Sequence, residues 1–152
     1  RIPKLIKEGF RGKIYATEAT RDLAEVILLD SAKIMREDYL TNYKKAQRRG
    51  KEDKVKPPLY EESDVEDTFN ISWHLIEYDT KQMLEDGVFV TYKNAGHILG
   101  SAFIKIEYQE KNQQKSILFS GDIGNDNDMV LPPLSECKHT DYLYVESTYG
   151  DR

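Results

Sequence analysis

The chain has 152 residues, 39% apolar and 32% charged, which is ordinary globular composition with enough length for one sizeable core. No apolar run approaches the roughly 18 residues of a membrane span, and one cysteine, Cys137, excludes an internal disulfide framework, which points to a reducing compartment such as the cytoplasm. A net charge of −5 argues against a simple basic nucleic-acid binder, although a bound metal would add positive charge that the count omits.

In chain order, Ile2-Pro3-Lys4-Leu5-Ile6-Lys7 reads as a short helix ended by Gly9. Lys13-Ile14-Tyr15-Ala16 reads as a short buried strand. A long helix follows to about Gln47, capped by Thr17 or Thr20, with Glu18 and Asp22 favouring its dipole. Its expected apolar stripe is Leu23, Ile27 and Ile34, with Val26, Met35 and Leu40 beside it. Residues 44 to 56 are strongly basic and end at Pro57-Pro58; they suit either phosphate contacts or a solvated helix end. A short acidic helix capped by Ser63 is expected next.

From His74 onward the pattern turns to strands. They are expected at His74 to Tyr78, Lys81 to Leu84, Val88 to Tyr92, Phe103 to Tyr108, Ser116 to Phe119 and Tyr142 to Val145. Asp86-Gly87 signals a hairpin, and the Glu110 to Gln114 turn another. Helices first and consecutive strands afterwards imply an α+β fold rather than a βαβ repeat.

Three residues follow strand-like runs in polar, glycine-rich surroundings. His97 lies in Ala95-Gly96-His97-Ile98-Leu99-Gly100-Ser101-Ala102. It is either a metal ligand, carried where glycines let the backbone turn tightly, or a hydrogen-bonded structural histidine. Asp122, in Ser120-Gly121-Asp122, is either a carboxylate bridging two metals about 3.5–4 Å apart or a turn residue. Glu146 either orients a histidine, serves as general acid or base, or caps the next turn. Asp126 and Asp128 lack the spacing of a calcium loop and read as a solvated turn. His74 and His139 read as structural, and Cys137 lacks a partner for a thiolate zinc site.

These motifs, in order, carry a resemblance. With Phe119-Ser120-Gly121-Asp122 and Val145-Glu146-Ser147-Thr148-Tyr149-Gly150-Asp151-Arg152, the His97 motif is similar to the metallo-β-lactamase superfamily in its β-CASP branch of nucleic-acid-processing hydrolases. Ile2-Pro3-Lys4-Leu5 with Gly12-Lys13-Ile14-Tyr15-Ala16-Thr17 resembles the segment that follows the family's histidine-rich motif. The resemblance implies a partial αββα sandwich with two zinc ions at the edge of the sheets. It implies that His97 completes one zinc's ligand set, that Asp122 bridges both, and that Glu146 supports acid–base chemistry. Metal-activated water would attack a phosphodiester phosphorus. The Glu-Ser-Thr-Tyr-Gly ending resembles the RNA-processing members, so single-stranded RNA is the expected substrate.

One departure is large. The family's His-x-His-x-Asp-His motif, which supplies most ligands, is absent. The expectation is therefore that residues 1–152 form the central part of a lactamase-like domain, ending where a β-CASP region begins, within a larger protein. The isolated piece is expected to be inactive, with an incomplete zinc site. Uncovered strand edges make artificial homo-oligomers conceivable. The competing readings are a non-catalytic scaffold of degenerate lactamase fold, and a hydrolase of a small ester or thioester.

Overall fold

The computed structural model describes residues 1–125, 131–137, 139–148 and 150. The chain divides into two compact units: Arg1–Tyr15 with Arg21–His74, and Ala16–Thr20 with Leu75–Arg152. The fold is α+β, as the order of the patterns implies.

The first unit is helical. Helix α1, Ile2–Lys7, buries Pro3 and Ile6. It ends as a paired set of backbone bonds, Gly9 N–H to Ile6 O at 2.9 Å and Phe10 N–H to Leu5 O at 3.0 Å, which satisfies the last carbonyls. Strand β1, Ile14–Ala16, precedes helix α2, Glu18–Gln47, and Arg21 onward packs in this unit. The expected stripe of α2 is only partly the one it buries: Met35 lies on the core side and Leu23 is half-buried, but the other four residues are exposed. Val26, Ile27 and Ile34 are 65%, 50% and 52% exposed, and Leu40 is also exposed. The core side is Leu28, Leu29, Ala32 and Met35, packed with Tyr60, Val65 and Phe69. Both sets have helical spacing, so periodicity alone could not choose between them.

Helix α3, Glu62–Phe69, begins two residues earlier than a Ser63 cap would allow. Glu61 is the cap, with extended backbone, and the Asp64 carboxylate accepts its N–H at 2.8 Å. Ser63 lies inside the first turn. The same Asp64 carboxylate receives Lys7 Nζ at 2.7 Å, tying α1 to α3. Phe69 stacks on Trp73 at 5.1 Å between centroids, and the Arg21 guanidinium stands 5.5 Å from the Phe69 ring.

Only the start of the run expected from His74 to Tyr78 is a strand, and it pairs outside the main sheet; Tyr78 makes a single parallel bridge to Tyr92. Strand β2 is Trp73–Leu75 and pairs with β1 in a two-stranded ribbon. The second unit holds the five-stranded sheet, in the order β3 (Lys81–Glu85), β4 (Val88–Asn94), β5 (Ala102–Glu110), β6 (Gln113–Phe119), β7 (Tyr142–Tyr144). β3 to β6 run antiparallel as a meander, and β7 lies parallel to β6. The β5–β6 turn is Lys111-Asn112, both at positive φ, the backbone of a two-residue hairpin whose twist matches its strands. Alternation on β4 buries Val90, Tyr92 and Asn94, and Ala95, Phe103 and Leu118 form a small core with Leu134 and Cys137.

Asp141 fixes the start of β7. Its carboxylate accepts the Ser116 N–H at 2.8 Å and the Ser116 hydroxyl at 3.0 Å, with Lys115 Nζ at 3.4 Å. These bonds, the hydroxyl's first, hold its carboxyl below the usual range. A lowered folded pKa stabilises the fold above the unfolded value of about 3.9, and that contribution fades as pH falls through the folded pKa. Asp141→Asn is therefore expected to lower the urea midpoint near neutral pH, and the difference from wild type should shrink as pH falls below the unfolded value and through the folded one. A difference that persists unchanged in acid would contradict this account.

Candidate functional site

Strand direction assembles the site. β4 and β6 are both antiparallel to β5, so they point the same way, and β7 is parallel to β6. The C-terminal ends of β4, β6 and β7 therefore open at one end of the sheet. His97, Asp122 and Glu146 each follow one of those ends by two or three residues.

The His97 loop is closed by its own polar groups. The Ser101 hydroxyl accepts the N–H groups of His97 and Ile98 at 3.1 and 3.2 Å, and Ala95 N–H donates to Ser101 O at 3.2 Å. The Asn94 side chain accepts the Gly96 N–H at 3.1 Å and donates to the carbonyls of Pro132 and Pro133. The hydroxyls of Thr17 and Thr20 each lie 2.8 Å from the Gly100 carbonyl oxygen. Thr17 also accepts the Thr20 N–H at 3.2 Å, so the residue that caps α2 anchors this loop as well.

The Asp122 loop lies against it. Gly124 N–H donates to Ala95 O at 2.9 Å, and a Cβ on Gly124 would stand 1.7 Å from the Gly96 carbonyl oxygen. Only a residue without a side chain permits that approach. The result is a separation of 3.9 Å between His97 Nε2 and Asp122 Oδ2, with side chains 43% and 71% exposed.

Glu146 braces rather than faces outward. One oxygen accepts the Ile123 N–H at 2.7 Å, and the other accepts the Thr148 hydroxyl. Its own N–H donates to the Ser120 hydroxyl at 3.0 Å, and Ser120 N–H donates to Tyr144 O at 2.9 Å. The Ile123 N–H is the leading cause that holds the Glu146 carboxyl below the usual range; Thr148 and the nearby His97 act in the same direction. Glu146 thus stays ionised and positions the residue next to Asp122.

His97 offers a ring nitrogen and Asp122 a carboxylate, both donor types that zinc accepts, but a catalytic zinc takes three protein ligands. Among the described residues no group of three or more His, Cys, Asp or Glu could hold a metal ion. The donors present make a partial set. Asp126 and Asp128 lie outside the described residues, as do Tyr149, Asp151 and Arg152 of the last motif. His139 is exposed, and His74 lies 3.0 Å from the Ser72 hydroxyl and against Tyr15, in keeping with a structural role. Sequence reading gave no role to Ser101, Ser120, Thr148 or Gly124. Each lies in or beside a motif, but only pairing across the sheet end shows what it holds.

No family model matches the chain. Curated relatives do match. The chain is 33% identical over 153 aligned residues, its whole length, to a ribonuclease of Thermus thermophilus, of which it covers 29%. It is 30% identical over 150 residues, 98% of the chain, to transcription termination factor FttA of Cenarchaeum symbiosum, covering 20% of it. It is 31% identical over 149 residues, 95% of the chain, to endoribonuclease Ysh1 of Schizosaccharomyces pombe, covering 16%. The chain belongs to the β-CASP branch of the metallo-β-lactamase superfamily. It spans less than a third of the length of each of these relatives.

The close approach at Gly124 makes a direct prediction for this β-CASP chain. Gly124→Ala forces the two loops apart and should destabilise the fold by about 1–3 kcal/mol, the scale of overpacking. Urea denaturation measures it, and protection of the Gly124 amide from hydrogen exchange should fall. A variant as stable and as protected as wild type would show that the loops do not meet as described.

Proposed function

We propose that this chain contributes to RNA phosphodiester hydrolysis in a longer, zinc-dependent β-CASP enzyme. The observation that carries the proposal is the convergence of His97 and Asp122 to 3.9 Å at one sheet end, on loops locked by backbone bonds. The names of two relatives, a ribonuclease and an endoribonuclease, supply the substrate class. Zinc, when bound, would supply an activated water and positive charge opposite the charge that builds up on phosphorus. His97 and Asp122 would be two of its ligands, and the remaining ones would come from beyond the described residues.

The chain's own contributions follow from the bonds. Ser101 fixes the backbone on which His97 is mounted. Glu146 fixes the backbone N–H beside Asp122, which makes it a positioning residue in this structure. The sheet end is open, and 71% exposure of Asp122 leaves its carboxylate accessible to an extended substrate. A cytoplasmic location accords with the free Cys137. No helix among the described residues is long and apolar enough to cross a membrane.

Two experiments test the reading. In a longer protein containing this chain, Asp122→Ala should abolish nearly all cleavage of single-stranded RNA while circular dichroism stays that of wild type. A folded, active Asp122→Ala protein would end the two-metal assignment. The 152-residue chain alone should hold less than one zinc per molecule by mass spectrometry of the metal, and should not cleave RNA. Stoichiometric zinc together with metal-dependent cleavage would contradict the partial-site account.

A further inference from the structure

The chain segregates its charge. Against a total of −5, residues 44–56 hold seven lysines or arginines and only two acids. In the first unit this stretch covers the last turn of α2, a single 3-10 turn at Glu52–Lys54, and the start of the segment leading to Pro57-Pro58. That segment and α2 together line a cavity of about 480 Å³. Asp38, Tyr39 and Asn42 stand on one face of the helix, and Lys54 and Lys56 come from the other wall.

Half of the lining is apolar (Met35, Val55, Pro57, Pro58 and Leu59), and the charged and amide side chains of the other half face solvent. The side chains of Asp38, Asn42, Lys54 and Lys56 make no hydrogen bond or ion pair with any described residue. Tyr39 is half-buried and tilted against Tyr43, with centroids 5.8 Å apart, so its ring is held in place. A flat ring, an amide, a carboxylate and two ammonium groups around one cavity correspond to the parts of a nucleotide. The ring can stack on a base, the amide and carboxylate can pair with its edge, and the lysines suit phosphate. An acidic peptide would use the lysines but would leave the ring and the Asp38–Asn42 pair without a role. The volume lies within the roughly 300–1,000 Å³ of ligand sites.

We propose that this cavity is a subsite for one nucleotide of a single-stranded RNA, with its base on Tyr39 and its phosphates on Lys54 and Lys56. Lys44, Lys45, Arg48 and Arg49 carry the flanking phosphates. The proposal rests on the RNA reading given above, and it adds a binding element in the first unit, whereas His97, Asp122 and Glu146 belong to the second.

Fluorescence anisotropy tests it, with a labelled oligouridylate of about ten nucleotides titrated with the 152-residue chain in EDTA, so that metal plays no part. Tyr39→Ala should weaken binding about fivefold or more, and Tyr39→Phe should restore it. Lys54→Ala with Lys56→Ala, both exposed, should flatten the slope of log affinity against log salt by about 1.4. Absence of RNA binding, a Tyr39→Ala chain that binds as tightly as wild type, or an unchanged salt slope would each overturn the proposal. So would labelled polyglutamate binding as tightly as the RNA. The two readings fail separately. RNA binding through Tyr39 in a longer protein that cannot cleave would keep the subsite and end the nuclease reading. Cleavage by a protein whose RNA binding ignores Tyr39 would do the reverse.

Discussion

The direction of β6 is the constraint from which the site follows. It pairs antiparallel with β5 along seven residue pairs and parallel with β7 along three. Reversing either relationship would carry Asp122 or Glu146 to the far end of the sheet. Parallel pairing requires a long crossover between β6 and β7, and Asn94 holds part of that crossover, through Pro132 and Pro133, against the end of β4. The residue that ends the strand before His97 therefore also pins the connection that makes β7 parallel.

Small hydroxyl and amide side chains do most of the positioning. Ser101, Ser120, Thr17, Thr20, Thr148 and Asn94 accept backbone N–H groups, hold carbonyls or support a carboxylate around the loops. Such groups satisfy loop backbone that the sheet cannot pair, at little conformational cost because their side chains are short. Glu146 illustrates the consequence. Two donors engage its oxygens, the Ile123 N–H and the Thr148 hydroxyl, and the exposed pair at the sheet end is His97 and Asp122. A mount of this kind leaves the functional groups open to solvent while their backbone is fixed, which is how a site keeps geometry and access together.

Charge is divided between the two units in a manner the net value hides. The acidic total coexists with a basic segment at the end of α2, far along the sequence from the acidic groups of the sheet end. Lysines at a helix C-terminus also favour the helix dipole, so their presence alone has a structural explanation. The proposed subsite rests instead on the cavity beside them, where Tyr39, Asn42, Lys54 and Lys56 share one lining.

The sequence by itself determined the order and kind of the elements, the two hairpin turns and the three motifs, because periodicity, turn chemistry and glycine placement act locally. It also carried the family, since three motifs in order constrain each other more than any one does. Tertiary structure decided the rest. Which side of α2 is buried depended on Tyr60, Val65 and Phe69, which lie 13 or more residues beyond the helix. The cap of α3 fell to Glu61 because Asp64, tied to Lys7, returns to its N–H. The strand at Trp73–Leu75 left the main sheet because its partner is β1, distant in sequence. His97, Asp122 and Glu146 were legible as residues, but their separation and the bracing role of Glu146 were not. Those depend on backbone meeting backbone at Gly124 and Gly96, a contact between segments 28 residues apart that no local pattern encodes.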